Sequence, residues 1–182
     1  MSRNNHVVAT LVMLMLAVFS PFGVAANAMP SAITSLAAEK TCGLSNFQQE
    51  LIAQINLARA TGRMCGAIFY PAAAPLVWQS KLFDVAASHS ADMALNNYFS
   101  HASQDGRSLI QRLKAAGYAG SAMAENIAVG QHTVTEAMQV WIASEGHCKN
   151  IMNSIYTEVA LACVSSDSSA YGTYWTMNLG RP

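Results

Sequence analysis

The feature that most constrains this chain is a change of hydrophobic period in its last quarter. Upstream, apolar residues recur at helical spacing in separate stretches. Val134, Ala137, Met138, Trp141 and Ile142 fall at i, i+3, i+4, i+7 and i+8, which is an amphipathic helix with Trp141 in its buried stripe. Thr133 with Glu136 is a capping-box signal at its start. Phe47, Leu51, Ile55 and Ala58 form a similar stripe after Ser45 and Gln48, another such signal, with Gly62 as the stop. Leu82, Val85, Ala86, His89 and Met93 line a helix from Ser80 to Asn96, and Ser108 to Ala116 is a short helix stopped by Gly117. Gly66, Pro71 and Pro75 mark an extended loop between the first two helices. Downstream the period becomes two. Glu158 to Val164 reads as a buried strand, and Trp175, Met177 and Leu179 alternate with Thr176 and Asn178. With the polar loop 165–170 between them, these strands predict an antiparallel hairpin. Helices first and strands last predict an α+β fold with helices covering a sheet. There is no βαβ rhythm, no repeat and no glycine-rich phosphate loop, which argues against dinucleotide-binding and P-loop folds.

The first residues are read separately. A weak basic start at Arg3 and His6 precedes an apolar run from Val7 to Phe19, then Pro21, Gly23 and small residues. That order is a secretory signal peptide, with cleavage after Ala26 or Ala28, and the run is short for a bilayer span. The expected organisation is a signal peptide over 1–28, a flexible Ala/Ser-rich lead-in over 29–44 and a single domain over 45–182. Removing residues 1–28 from the 182 leaves 154, enough for one domain with a real core. The Lys and Arg total equals the Asp and Glu total at 10 each. A near-neutral chain without a basic run argues against a nucleic-acid partner, and no later stretch is long enough to anchor it in a membrane. A monomer is expected.

Four cysteines, Cys42, Cys65, Cys148 and Cys163, follow the signal peptide. An even number in an exported chain predicts two disulfides, for which three pairings exist. Cys148 follows a turn and Cys163 lies in the next strand, so a Cys148–Cys163 bridge would pin that turn to the sheet. Cys42–Cys65 would then tie the lead-in to the loop after the first helix.

Chemistry concentrates in three places. Glu145, His147 and Cys148 follow Trp141 where the clearest helix ends, and Gly146 between the titratable pair lets the backbone turn there. His101 follows the aromatic pair Tyr98-Phe99 and precedes a polar loop. Glu125 and Asn126 stand among small and apolar residues, where a carboxylate needs partners. His89, on an apolar stripe, reads as a core histidine, and His132 as a solvated one.

Phe99-Ser100-His101, Glu125-Asn126-Ile127-Ala128, Trp141 with Ser144, and Gly146-His147 with Asn150-Ile151 form an ordered set. In order and spacing it resembles the CAP superfamily of cysteine-rich secretory proteins, venom antigens and plant pathogenesis-related proteins, in its compact bacterial form. The resemblance runs from about Phe47 to the C-terminus and includes Pro75-Leu76-Val77-Trp78. It implies an α-β-α sandwich with a central antiparallel sheet flanked by helices, and a cleft with two histidines and usually two glutamates. His101, Glu125 and His147 match that set. Family members with the full set carry a Glu three residues after the Trp. Here that position is Ser144, and Glu145, one residue later, is the candidate replacement.

Two imidazoles with one or two carboxylates suit a divalent metal such as zinc, with His101 and His147 as nitrogen ligands. The same groups can act as acid and base on a bound water. The chain offers no HExxH, no GxSxG and no activated thiol. The resemblance, with Ser144 where the family's second Glu stands, implies a secreted binding module for an extracellular lipid, cell-wall component or protein. The alternative is a metal-assisted, peptidase-like hydrolase in which His101, Glu125, Glu145 and His147 carry the chemistry.

Overall fold

The computed structural model describes residues 36–182. The expected signal peptide and the first part of the lead-in lie outside the described residues. Five helices and two sheets follow in order: α1 (Phe47–Arg59), β1 (Arg63–Cys65), β2 (Ile68–Tyr70), β3 (Val77–Trp78), α2 (Ser80–Asn96), α3 (Leu109–Ala115), β4 (Ala122–Val129), α4 (Val134–Ala143), α5 (Glu145–Met152), β5 (Glu158–Ser165) and β6 (Thr173–Arg181). The main sheet has the order β3-β5-β6-β4, antiparallel except for the short β3–β5 pairing. Among the described residues strand β4 is therefore an edge, and the site is built around it.

Side chains alternate across the sheet as the period-two pattern requires. Val159, Leu161, Trp175, Met177 and Leu179 join a core with Leu51, Ile55, Trp141 and Ile151 from α1, α4 and α5. Ala160 and Ala162 face the other way, against Leu82, Val85 and Ala86 of α2 and Leu113 of α3. The result is the expected α-β-α sandwich. Trp141 is fully buried, and its indole N–H donates to the Ile127 carbonyl at 3.1 Å. Thr176 and Asn178, polar in the alternation, are also buried, because α2 covers them. Ser90 donates to the Thr176 hydroxyl at 2.8 Å, and the Asn178 amide donates to the Leu82 carbonyl at 3.1 Å.

Four local expectations are corrected. Helix α1 has no capping box at Ser45; its cap is Asn46 in the left-handed region, with no side-chain cap bond. The stretch expected to be an extended loop holds the β1–β2 hairpin, turning at Gly66, whose φ is +61. The Glu145 side chain lies over Gly66 and would have to shift to admit a Cβ there. The chain breaks at Ser144 (φ −91, ψ 125) rather than at Gly146, which sits inside α5. Of the lead-in, residues 38–44 are not loose. Ala38–Lys40 form a 3₁₀ turn, Thr41 is buried, and the Cys42 N–H donates to the Cys163 carbonyl at 3.0 Å.

That contact explains why the disulfides are Cys42–Cys163 and Cys65–Cys148, not the pairing expected from the sequence. Thr41 runs parallel beside Cys163, bringing the Cys42 and Cys163 Cα atoms to 5.2 Å. Hairpin strand β1 packs on α5, bringing Cys65 to 5.4 Å from Cys148. Closeness in sequence misled: Cys163 lies five residues along β5 from Glu158, roughly 17 Å at the usual rise of a strand.

Candidate functional site

Glu125 is the centre of the site. It stands on edge strand β4, and its side chain faces α2 and α3. Oε2 accepts from Arg112 Nη2 at 2.5 Å and Oε1 accepts from His101 Nδ1 at 2.8 Å. Both partners of the ion pair are deeply buried, with side-chain exposures of 5% for Arg112 and 3% for Glu125. His89 Nε2 lies 3.9 Å from the same Oε1. Glu125 is thus buried and partnered as its surroundings in the sequence demanded.

Arg112 does more than balance that charge. Its Nη1 donates to the carbonyls of His101 at 2.9 Å and Arg107 at 3.1 Å, and to Ser103 Oγ at 3.1 Å. One guanidinium therefore gathers the 101–107 loop and aims it at Glu125. Nδ1–H of His101 donates to the carboxylate, so in the neutral ring Nε2 is an acceptor. The His101 side chain is 61% exposed.

The neighbouring residue serves the other helical layer. Asn126 points away from Glu125, as alternation requires, and its Nδ2 donates to the His147 carbonyl at 3.2 Å. Asn150 Nδ2 donates to Asn126 Oδ1 at 2.8 Å. The Glu-Asn pair thus holds His101 through one side chain and the His147 backbone through the next. Because no described strand lies outside β4, groups from both layers meet around its edge. Burial first, and then the proximity of His101, lower the affinity of His147 for a proton. Glu145 does not join this group. Its carboxylate pairs with Lys149 at 2.5 Å, one helical turn away on α5.

The metal expectation meets this geometry directly. Both Glu125 oxygens are committed to Arg112 and His101, and Glu145 is turned to Lys149. At most two imidazoles, His101 and His147, remain as donors. Among the described residues no three His, Cys, Asp or Glu side chains are grouped to hold one ion. The donor set does not fit the three or four protein ligands of a zinc centre.

His89 and Arg112 belong to the site and were missed in the sequence. His89 left a signal: a titratable group on a buried stripe needs a partner. Arg112 left none, since it reads as a surface residue in the last turn of a short helix. His89 Nε2 lies 3.0 Å from the Ser100 carbonyl, so Nε2 carries the proton. Burial lowers its affinity for a second proton; Glu125 and Asp92 oppose this, while Arg112 adds to it.

Both lowered histidines make stability depend on pH. Below their ordinary value of 6.5, the unfolded chain binds protons that folded His89 and His147 resist. Stability is therefore full above that pH and is lost as pH falls through the depressed folded values. Urea unfolding should show a lower midpoint at about pH 5.5 than at about pH 7.5, and His89→Gln should flatten the difference. A midpoint that is the same at both pH values would contradict the burial of these rings.

Residues 70–179 match the CAP family, described as the cysteine-rich secretory protein family. This protein belongs to the CAP family. Its relatives include YkwD of Bacillus subtilis (strain 168), 37% identical over 102 residues, which are 56% of this chain and 38% of YkwD. YlbC, a membrane protein of the same organism, is 40% identical over 88 residues, 48% of this chain and 25% of YlbC. Among solved structures, an extracellular protein containing a SCP domain from Bacillus anthracis str. Ames aligns with a TM-score of 0.59 and 31% identity. The alignment covers 74% of this chain and 40% of that one. This CAP chain thus spans well under half the length of these relatives. Among its described residues no helix is long and apolar enough to cross a membrane.

Proposed function

We propose that this CAP domain is exported and acts as a binding module, holding an extracellular lipid, cell-wall component or protein at the His101–His147 edge of the sheet. One observation carries the reading. The Glu125 carboxylate holds Arg112 with one oxygen and His101 with the other and is only 3% exposed, so it fixes a side chain in place and is shielded from the water it would have to activate. What reaches solvent is the Nε2 acceptor of His101, the half-exposed Phe99 two residues earlier and the His147 ring. An exposed imidazole acceptor together with the exposed Phe99 ring, packed on Tyr171 at 6.3 Å between centroids, suits a ligand with hydroxyl or amine donors and an apolar face. Export is supported by the signal-peptide pattern of residues 1–28 and by the extracellular relative from Bacillus anthracis.

The test compares wild type with a His101→Ala/His147→Ala double variant, both with disulfides intact. Each is incubated with lipid vesicles and with an insoluble cell-wall fraction, and each is assayed on a peptide mixture with and without added zinc. Wild type should be retained by one of the two materials, the double variant should not, and neither should cleave peptide. Zinc-dependent cleavage by wild type that the double variant lacks would establish the hydrolase instead.

A further inference from the structure

On the far side of the Glu125 cluster, α2 and the 103–107 loop enclose a cavity of about 510 Å³, within the usual range for small-molecule sites. One wall is a single face of α2: Val85, Ser88, Asp92 and Asn96, spaced so that they share one side of the helix. In the fold the loop stands opposite it, with the Gln104 N–H donating to Asp92 Oδ2 at 2.9 Å. The floor is made by His89 and Arg112, each more than nine-tenths buried.

Each floor residue has a buried polar atom with no protein partner, His89 Nδ1 and Arg112 Nε. With the His89 proton on Nε2, its Nδ1 is an acceptor; Arg112 Nε–H is a donor. Such atoms are costly to leave unmet in a protein interior. The floor thus pairs one unmet acceptor with one unmet donor beneath a polar wall.

The charges around the cavity are already answered. Arg107 Nε donates to Asp105 at 2.6 Å, and Arg112 is paired with Glu125. Asp92 accepts from Tyr98 Oη at 2.5 Å, the Gln104 N–H and Asn96 Nδ2 at 2.8 Å. Of the roughly four acceptor positions of a carboxylate, that leaves one, on Oδ1. An ionic ligand would have to break these pairs. A neutral ligand that both donates and accepts hydrogen bonds uses what they leave over.

The geometry points to this cavity as a binding site for a neutral saccharide unit. Its hydroxyls donate to Asp92 Oδ1, and at the floor they exchange hydrogen bonds with His89 Nδ1 and Arg112 Nε once a hydroxyl enters deeply enough to reach them. Val85, Ala115 and Ala116 supply small apolar surface for the carbon face of a ring. The site lies on the α2–α3 layer and does not depend on the function proposed for the His101–His147 edge.

The test is an amide-NMR titration of the full chain, disulfides intact, with glucose, N-acetylglucosamine, cellobiose and N,N′-diacetylchitobiose. At least one sugar should give saturable millimolar shifts centred on Ser88, Asp92 and residues 103–107, without equivalent shifts over 145–151. Tighter binding of a disaccharide than of its monosaccharide would assign the site to a glycan chain, and the reverse to a free sugar. Ser88→Phe and Gln104→Phe place bulk in the cavity from its two walls at exposed positions. Each should weaken binding about tenfold or more with the rest of the spectrum unchanged. The proposal is overturned if no sugar gives a saturable shift, if the shifts map to the His147 helix, or if a folded bulky variant binds as wild type does.

Discussion

Replacing Cys42 and Cys163 by serine should lower the unfolding free energy by about 4–5 kcal/mol, the top of the range for losing one native disulfide. The bridge spans 121 residues, compared with 83 for Cys65–Cys148. In the loop-entropy account the longer closed loop restrains the unfolded chain more. The loss also has a folded-state component. Residues 38–44 reach the sheet through the bridge, the Cys42 N–H bond and the Thr41 pairing beside Cys163. Without the bridge that segment has little to hold it. The measurement is urea unfolding of wild type and Cys42→Ser/Cys163→Ser, with peptide mapping under non-reducing conditions as the companion. Mapping must find the Cys42 peptide joined to the Cys163 peptide. Cys42 joined to Cys65 would show that the described chain path is wrong, and a loss under one kcal/mol would show that the bridge merely decorates a segment already held.

Arg112→Ala should cost about 3–5 kcal/mol, the usual penalty for leaving one partner of a buried ion pair uncompensated. Glu125 would keep its charge inside the protein with only the His101 hydrogen bond to answer it. The carbonyls of His101 and Arg107 and the Ser103 hydroxyl would lose their common donor, so the 101–107 loop should loosen with the loss of stability. Arg112→Lys keeps the charge but cannot supply the fork, and should fall between wild type and Ala. Adding Glu125→Gln to Arg112→Ala removes the stranded charge and should recover part of the loss, a coupling that a double-mutant cycle reads directly. A cost under one kcal/mol for Arg112→Ala, or two costs that simply add, would mean the pair is not the hub of the site.

The sequence determined the elements wherever a buried face repeats along one segment. The stripes Phe47-Leu51-Ile55 and Leu82-Val85-Met93 and the alternation Trp175-Met177-Leu179 each record locally which side meets the core. The elements carrying them were therefore legible, and with them the α+β class. The spaced His101, Glu125, Asn126 and His147 were legible as a constellation for another reason: their order and spacing resemble the CAP family, and Glu125 and Asn126 also stand among apolar residues, where polar groups are placed only against a cost. Partner choice was not legible. Which cysteines pair, and that Arg112 answers Glu125 while Glu145 turns away to Lys149, depend on which segments meet after helices pack on both faces of the sheet. Residues 41–42 lie beside β5, hairpin β1 lies on α5, and Glu145 on α5 meets Lys149 one turn along its own helix. These are contacts between residues far apart in the chain, or a choice between a near neighbour and a distant one. A periodic pattern records the direction in which a side chain is buried and carries no record of what it is buried against; the packing of the layers decides that.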